Sequence, residues 1–339
     1  LYEKALDRYH EFFEKFPDDK WKTYEFKYNC AEVYNDLGEY DKAVDFYWYV
    51  AMEDLDKYPE YTIDVDSLLY DDPKEYEKAR QKAQKGGAMA ISQEDAGYNA
   101  IVALDKARKK KIAEGGLEEQ QAYELPETQE MLNKIVSYRK RFPTSPSTAE
   151  LIYLAGNLHY LAQAYDRAID EFKAIVDNHP QTKIAPKAFR MLAKSYSSAG
   201  QHEKAISKYK ELLTRTDPKT KEYQEVMDLA AAAIYSKADK MREAGNYLGA
   251  ADVFKDVFNQ FPKSKVAAPA WFEAGVCYEE ADSPQLAAAT FEGLPTKFAQ
   301  SDLREKAFLR AAENYKKIEK WEMAANVYAK AAATITKAD

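Results

Sequence analysis

From Leu151 to Pro218 the sequence writes one pattern twice. The first copy, LIYLAGNLHYLAQAYDRAIDEFKAIVDNHP, carries Gly156, Ala168, Phe172 and Pro180; the second, AFRMLAKSYSSAGQHEKAISKYKELLTRTDP, carries Ala193, Ala205 and Tyr209. Counted from the central alanine, each copy has a small residue twelve positions before it and an aromatic four positions after it. A small residue on one helix lets an antiparallel neighbour approach closely, and the aromatic fills the next gap in the stack. Each such hairpin buries its apolar face only against the next one, so the pattern predicts stacked helical hairpins.

The same register continues on both sides. Downstream, Ala250, Ala287 and Ala324 extend the series from Ala168 in steps of 37, 45, 37 and 37 residues. The step of 45 predicts a longer first helix, roughly 219 to 244. Upstream, Ala31, Tyr34, Gly38, Tyr40, Ala43 and Tyr47 fall in register, with Gly38 a helix stop and Asp41 placed to meet free backbone amides at a helix start. Ala5, Tyr9 and Pro17 keep the offsets of Ala168, Phe172 and Pro180, so the chain is expected to open on the second helix of a repeat, as a mature or truncated piece of a longer array.

Between about 60 and 146 the register breaks down. The expectation is an insertion closed by Gly86 and Gly87, a helix from about 88 to 112, a loop at Gly115 and Gly116, and a second helix from Pro126 to Phe142. Residues 60–126 are expected to project from the stack and to be its most mobile part, because register residues are absent there. The chain thus divides into repeats over 1–59, an irregular repeat with an insertion over 60–146, and repeats over 147–339.

Composition narrows the function. No run of apolar residues is long enough to span a membrane. The net charge is -8, and residues 1–80 hold 22 acidic against 11 basic residues, an acidic front end that disfavours nucleic acid as a partner. The four histidines, His10, His159, His179 and His202, form no HExxH pair, so neither an enzyme nor a metal centre nor a cofactor is expected. His159 stands where other repeats place Tyr34, Tyr196, Tyr278 or Tyr315 and reads as a packing residue. Asp64, Asp66, Asp71 and Asp72 lack the spacing of a calcium loop and read as solvated charge. Lys106 and Arg108 to Lys111 read as cations offsetting a helix C-terminus. Cys30 and Cys277 read as separate buried thiols.

The Gly/Ala, aromatic and Pro spacing resembles the tetratricopeptide repeat. The 37-residue step and the endings FPTS, HPQT and FPKS are similar to the variant found in bacterial cell-envelope proteins of the outer-membrane assembly lipoprotein and Tol-Pal coordinator type. The resemblance implies an all-α, right-handed solenoid of antiparallel hairpins whose first helices line a concave groove. It further implies a non-enzymatic scaffold or adaptor in the periplasm or at the outer membrane, with other proteins as partners; the alternative is a self-assembling structural subunit. Positions fifteen, eleven and eight before each register alanine would face the groove. In the middle repeats these are Tyr153, Asn157, Tyr160, Arg190, Lys194, Tyr235, Asp239 and Arg242, where tyrosines alternate with cations in a way that suits an extended acidic or polar segment. Tyr153 stands where chaperone-binding members carry a clamp lysine, so chaperone C-termini are not expected ligands.

Overall fold

The computed structural model describes residues 2–59, Lys74 and residues 91–335. Among the described residues there are sixteen α-helices, one 3-10 turn and no strand. The chain divides into two compact units, Leu1–Ile184 and Ala185–Asp339. The first holds α1 (Tyr2–Lys15), α2 (Lys20–Leu37), α3 (Tyr40–Met52), α4 (Gln93–Gly115), the short α5 (Glu119–Ala122), α6 (Pro126–Arg141), α7 (Pro146–Leu161) and α8 (Tyr165–Asn178). The second holds α9 (Ala185–Ser198), α10 (His202–Arg215), α11 (Lys221–Glu243), α12 (Tyr247–Gln260), α13 (Ala267–Glu280), α14 (Pro284–Lys297), α15 (Arg304–Lys317) and α16 (Trp321–Ile335). Within each unit consecutive helices pack as hairpins, and α11 is the long first helix that the step of 45 predicts.

The turns of the six hairpins in regular register are made the same way. The residue five before each register alanine has positive φ: Gly38, Gln163, Gly200, Gly245, Asp282 and Glu319. The next residue's N–H then reaches back over the helix end, as in Glu39 to Tyr34, Ala164 to His159, Gln201 to Tyr196, Asn246 to Met241, Ser283 to Tyr278 and Lys320 to Tyr315, each at 2.9 Å. This is the Schellman closure, and it needs a left-handed residue at that one position. Glycine adopts that conformation without a Cβ penalty, whereas Gln163 (φ 61°), Asp282 (φ 50°) and Glu319 (φ 58°) bear it. Replacing any of the three by glycine is therefore expected to raise stability, by up to about 1 kcal/mol, in urea unfolding.

The register residues form the core. Ala168, Ala205, Ala250 and Ala287 are fully buried, as are Phe172, Phe254 and Phe291. A Cβ placed on Gly156 would lie 2.7 Å from the Phe172 ring, and one on Gly275 would lie 2.6 Å from the Phe291 ring. The rings thus occupy the volume that a larger residue would need, which is the packing reason for the spacing. Cys30 and Cys277 are buried free thiols, and burial pushes both up to about 12.

The stretch from 93 to 126 departs from expectation. It does not stand off from the stack: α4 packs on α3 and α6, with Ala100, Ile101 and Leu104 buried in one cluster with Val44, Tyr47 and Tyr138. Gly97 lets the helices close, since a Cβ there would meet Tyr138 at 2.8 Å and Ala51 at 3.3 Å. The basic run inside α4 is spent on ties between helices rather than on the helix end. Arg108, 3% exposed, bonds Glu119 and, at 3.2 Å, the Thr128 hydroxyl; Lys111 pairs with Glu127, and Lys106 donates to Asn35 at 2.9 Å. The expected insertion at 60–90, with Asp64, Asp66, Asp71 and Asp72, lies outside the described residues apart from Lys74.

Candidate first-helix binding faces

The aromatic residues fifteen before the register alanines do not stand free on the surface. Tyr153 of α7 is half-buried with its ring 5.5 Å from that of Phe172; Tyr235 of α11 stands 4.9 Å from Phe254, edge to face. The same contact recurs between Tyr28 and Tyr47 at 5.8 Å and between Phe272 and Phe291 at 5.1 Å. The first helices α2, α7, α11 and α13 therefore each lay one aromatic over the ring that fills their own hairpin, which fixes the side chain, whereas α9 and α15 carry Arg190 and Leu309 at that position. Burial, with the charges of Glu273 and Asp239 nearby, raises the Tyr235 hydroxyl above its ordinary range. Tyr160 packs at 5.5 Å on Tyr165 at the start of α8, and Asn157 is half-buried between Tyr153 and Tyr160 in the sequence of α7.

In the second unit the charged residues are cross-linked from one first helix to the next. Arg190 of α9 pairs with Glu222 and, at 3.9 Å, with Glu225, both in the early turns of α11. Those glutamates belong to the extension that makes α11 23 residues long against 14 for α9. Arg242 bonds Asp239 at 2.6 Å and Glu273 of α13 at 2.8 Å. One repeat later the same pair of positions carries the opposite signs, with Glu279 of α13 accepting from Arg310 and Asn314 of α15. Residues eight before one alanine and fourteen before the next thus face each other across the stack, which is why the charge reverses without loss of the contact. Lys194 is exposed one turn from Arg190.

The predicted residues therefore fall into two sets, described separately: Tyr153, Asn157 and Tyr160 on α7 of the first unit, and Arg190, Lys194, Tyr235, Asp239 and Arg242 on α9 and α11 of the second. Asp239 and Arg242 are brought into direct contact. The acidic partners Glu222, Glu225 and Glu273 were not singled out in the sequence; the signal for the first two was the longer repeat step. His159 is buried, with Nδ1 2.9 Å from the Tyr123 hydroxyl, to which Arg167 donates at 3.2 Å. Desolvation, then the Arg167 charge, lowers its pKa to about 4, so it is a neutral packing group. Among the described residues no group of His, Cys, Asp or Glu is placed to hold a metal ion, and no helix is long and apolar enough to cross a membrane.

Residues 147–273 match the model of the YfiO family, described as an outer membrane lipoprotein. No curated protein matches the chain. Solved structures similar to it include the apo form of RapI (13% identity, 90% of this chain and 74% of that one, TM-score 0.39). A tetratricopeptide repeat protein from Parabacteroides merdae is 13% identical over 92% of this chain and 93% of its own, with a TM-score of 0.32. The tetratricopeptide domain of P58(IPK) is 17% identical over 97% and 88%, with a TM-score of 0.29. The repeated hairpins and their shared turn make the chain an all-α repeat protein of tetratricopeptide-like fold, and its residues 147–273 resemble the outer-membrane lipoprotein family.

Proposed function

We propose that this protein is a non-enzymatic adaptor of the bacterial cell envelope, in the periplasm or at the outer membrane, which holds segments of partner proteins on the faces of its first helices. The observation that carries the reading is the preset aromatic at the same repeat position in both units, Tyr153 over Phe172 and Tyr235 over Phe254. A tyrosine already fixed against its own core gives contact area with little further loss of rotamer entropy on binding. The envelope assignment is supported by the match of residues 147–273 to an outer-membrane lipoprotein family. Extended acidic or polar segments are the ligands that suit the exposed Lys194 and the neighbouring Arg190, the latter trading an internal carboxylate for an external one.

An array of extended twelve-residue peptides of graded charge tests this. The wild-type protein is expected to retain the acidic members. The double variant Arg190→Ala, Lys194→Ala is expected to bind them at least tenfold more weakly, with its helicity unchanged. Equal retention by both proteins would remove the second unit's face from the reading, and the pair Tyr153→Ala, Tyr160→Ala tests the first unit's face in the same way.

A further inference from the structure

The first helices of the second unit are stapled to one another at one register position, except in one place. Residues eight before one register alanine and fourteen before the next carry opposite charges between α11 and α13, Arg242 with Glu273, and between α13 and α15, Glu279 with Arg310. Between α9 and α11 those two positions hold Ser197 and Ser236, neither of them charged. The link from α9 to α11 is made elsewhere, by Arg190 with Glu222 and, at 3.9 Å, with Glu225.

Both halves of that link are peculiar to this repeat. Arg190 stands fifteen before Ala205, where the other regular first helices carry Tyr28, Tyr153, Tyr235, Phe272 and Leu309. Its two acids lie in residues 221–229, which precede the point, twenty before the register alanine, at which α9, α13 and α15 begin. This extension of α11 is held without Arg190. Asp228 fastens it to the loop before α13, accepting from the Ser264 hydroxyl at 2.8 Å and from the Lys265 amide at 3.1 Å, and the Thr220 hydroxyl caps its start by accepting from the Tyr223 amide at 3.2 Å. The side chains of Arg190, Glu222 and Glu225 are 34%, 56% and 50% exposed, so water screens the pairing and it adds little to stability. A guanidinium held this way keeps its planar donor fork within reach of a carboxylate from outside.

We propose that Glu222 and Glu225 are an internal counter-ligand: they occupy Arg190 when no partner is bound and set the charge that an incoming acidic segment must bring to displace them. A segment with a single carboxylate exchanges like for like and gains little. One whose acids reach both Arg190 and Lys194, one turn apart on α9, gains a second charged contact and outcompetes the internal pair. The extension of α11 is thereby a specificity element of the first-helix face, and the inference rests on the acidic-segment reading above.

Fluorescence anisotropy of a labelled, capped twelve-residue peptide of alternating Glu and Ser, titrated with the full chain, tests this. The double variant Glu222→Gln, Glu225→Gln is expected to bind the peptide at least about threefold more tightly than wild type, with an unchanged thermal melt. Placed in an Arg190→Ala background, the same two substitutions are expected to bring no gain, because the acids act through Arg190. Equal affinity of wild type and the double variant overturns the counter-ligand and leaves the adaptor reading standing. A gain that persists in the Arg190→Ala background also overturns it, since the acids would then merely repel the peptide. A lowered melt with unchanged affinity overturns it in favour of a structural brace. No binding by either protein overturns both this inference and the acidic-segment reading on which it rests.

Discussion

Gly275→Val is expected to destabilise the second unit by about 3 kcal/mol, the upper end of what overpacking a well-filled core costs. The reason is local and geometric. A Cβ at 275 would sit 2.6 Å from Phe291, whose ring is fully buried. Phe291→Ala alone is also expected to be costly, roughly 3 to 5 kcal/mol, because it leaves a cavity against Gly275. The two changes occupy the same space, so the double variant should be more stable than the sum of the singles implies, by at least about 1 kcal/mol. Urea unfolding of the four proteins checks this. Strict additivity would mean that ring and glycine are not packed on each other. Because a repeat contacts chiefly its neighbours, hydrogen exchange should also show the loss concentrated in α13 and α14 and their neighbours rather than spread over the chain.

Acid is expected to weaken the first unit through His159. Burial and Arg167 hold its folded-state pKa at about 4, against 6.5 for the free side chain. The unfolded chain therefore takes up the proton more readily than the folded one. Stability from the neutral ring is fully present above pH 6.5 and is lost as the pH falls toward 4, at about 1.4 kcal/mol for each unit of difference and roughly 3 kcal/mol in all. His159→Tyr supplies the residue that the same position carries in Tyr34, Tyr196, Tyr278 and Tyr315, with no group that titrates in this range. Comparing the two proteins by urea unfolding at pH 7 and pH 4.5 isolates the histidine, because every carboxylate is common to both. Equal losses in the two proteins would contradict the account.

Much of this architecture was legible because the repeat states it several times over. Gly156 with Phe172 and Gly275 with Phe291 announce hairpins by spacing alone, and Gly38, Gly200 and Gly245 announce turns. Gln163, Asp282 and Glu319 make the same turn without announcing it, since nothing in those residue types asks for a positive φ. The hairpin of α4 and α6 was hidden for a related reason. Lys134 stands four before Tyr138, where a register alanine is expected, and its ammonium lies over the Trp48 ring, 4.4 Å from the centroid. The small residues Ala96, Gly97, Ala100, Ala103 and Ala107 were the available clue that this helix is pressed between two others. At the candidate site, sequence offsets placed the tyrosines on the first helices but not their rings against the core. They could not assign Arg190 to Glu222 or Arg242 to Glu273, because those pairs join successive repeats 32 and 31 residues apart.

Site-specific photo-crosslinking shows whether partners are held on the first-helix faces. A benzophenone amino acid placed at Lys194 on α9, at Asp239 on α11 and at Ser207, exposed on the second helix α10, reports which face a bound partner touches. In envelope extracts the account predicts the same partner adduct from positions 194 and 239 and none from 207. Adducts from position 207 alone would contradict it and move binding to the second helices.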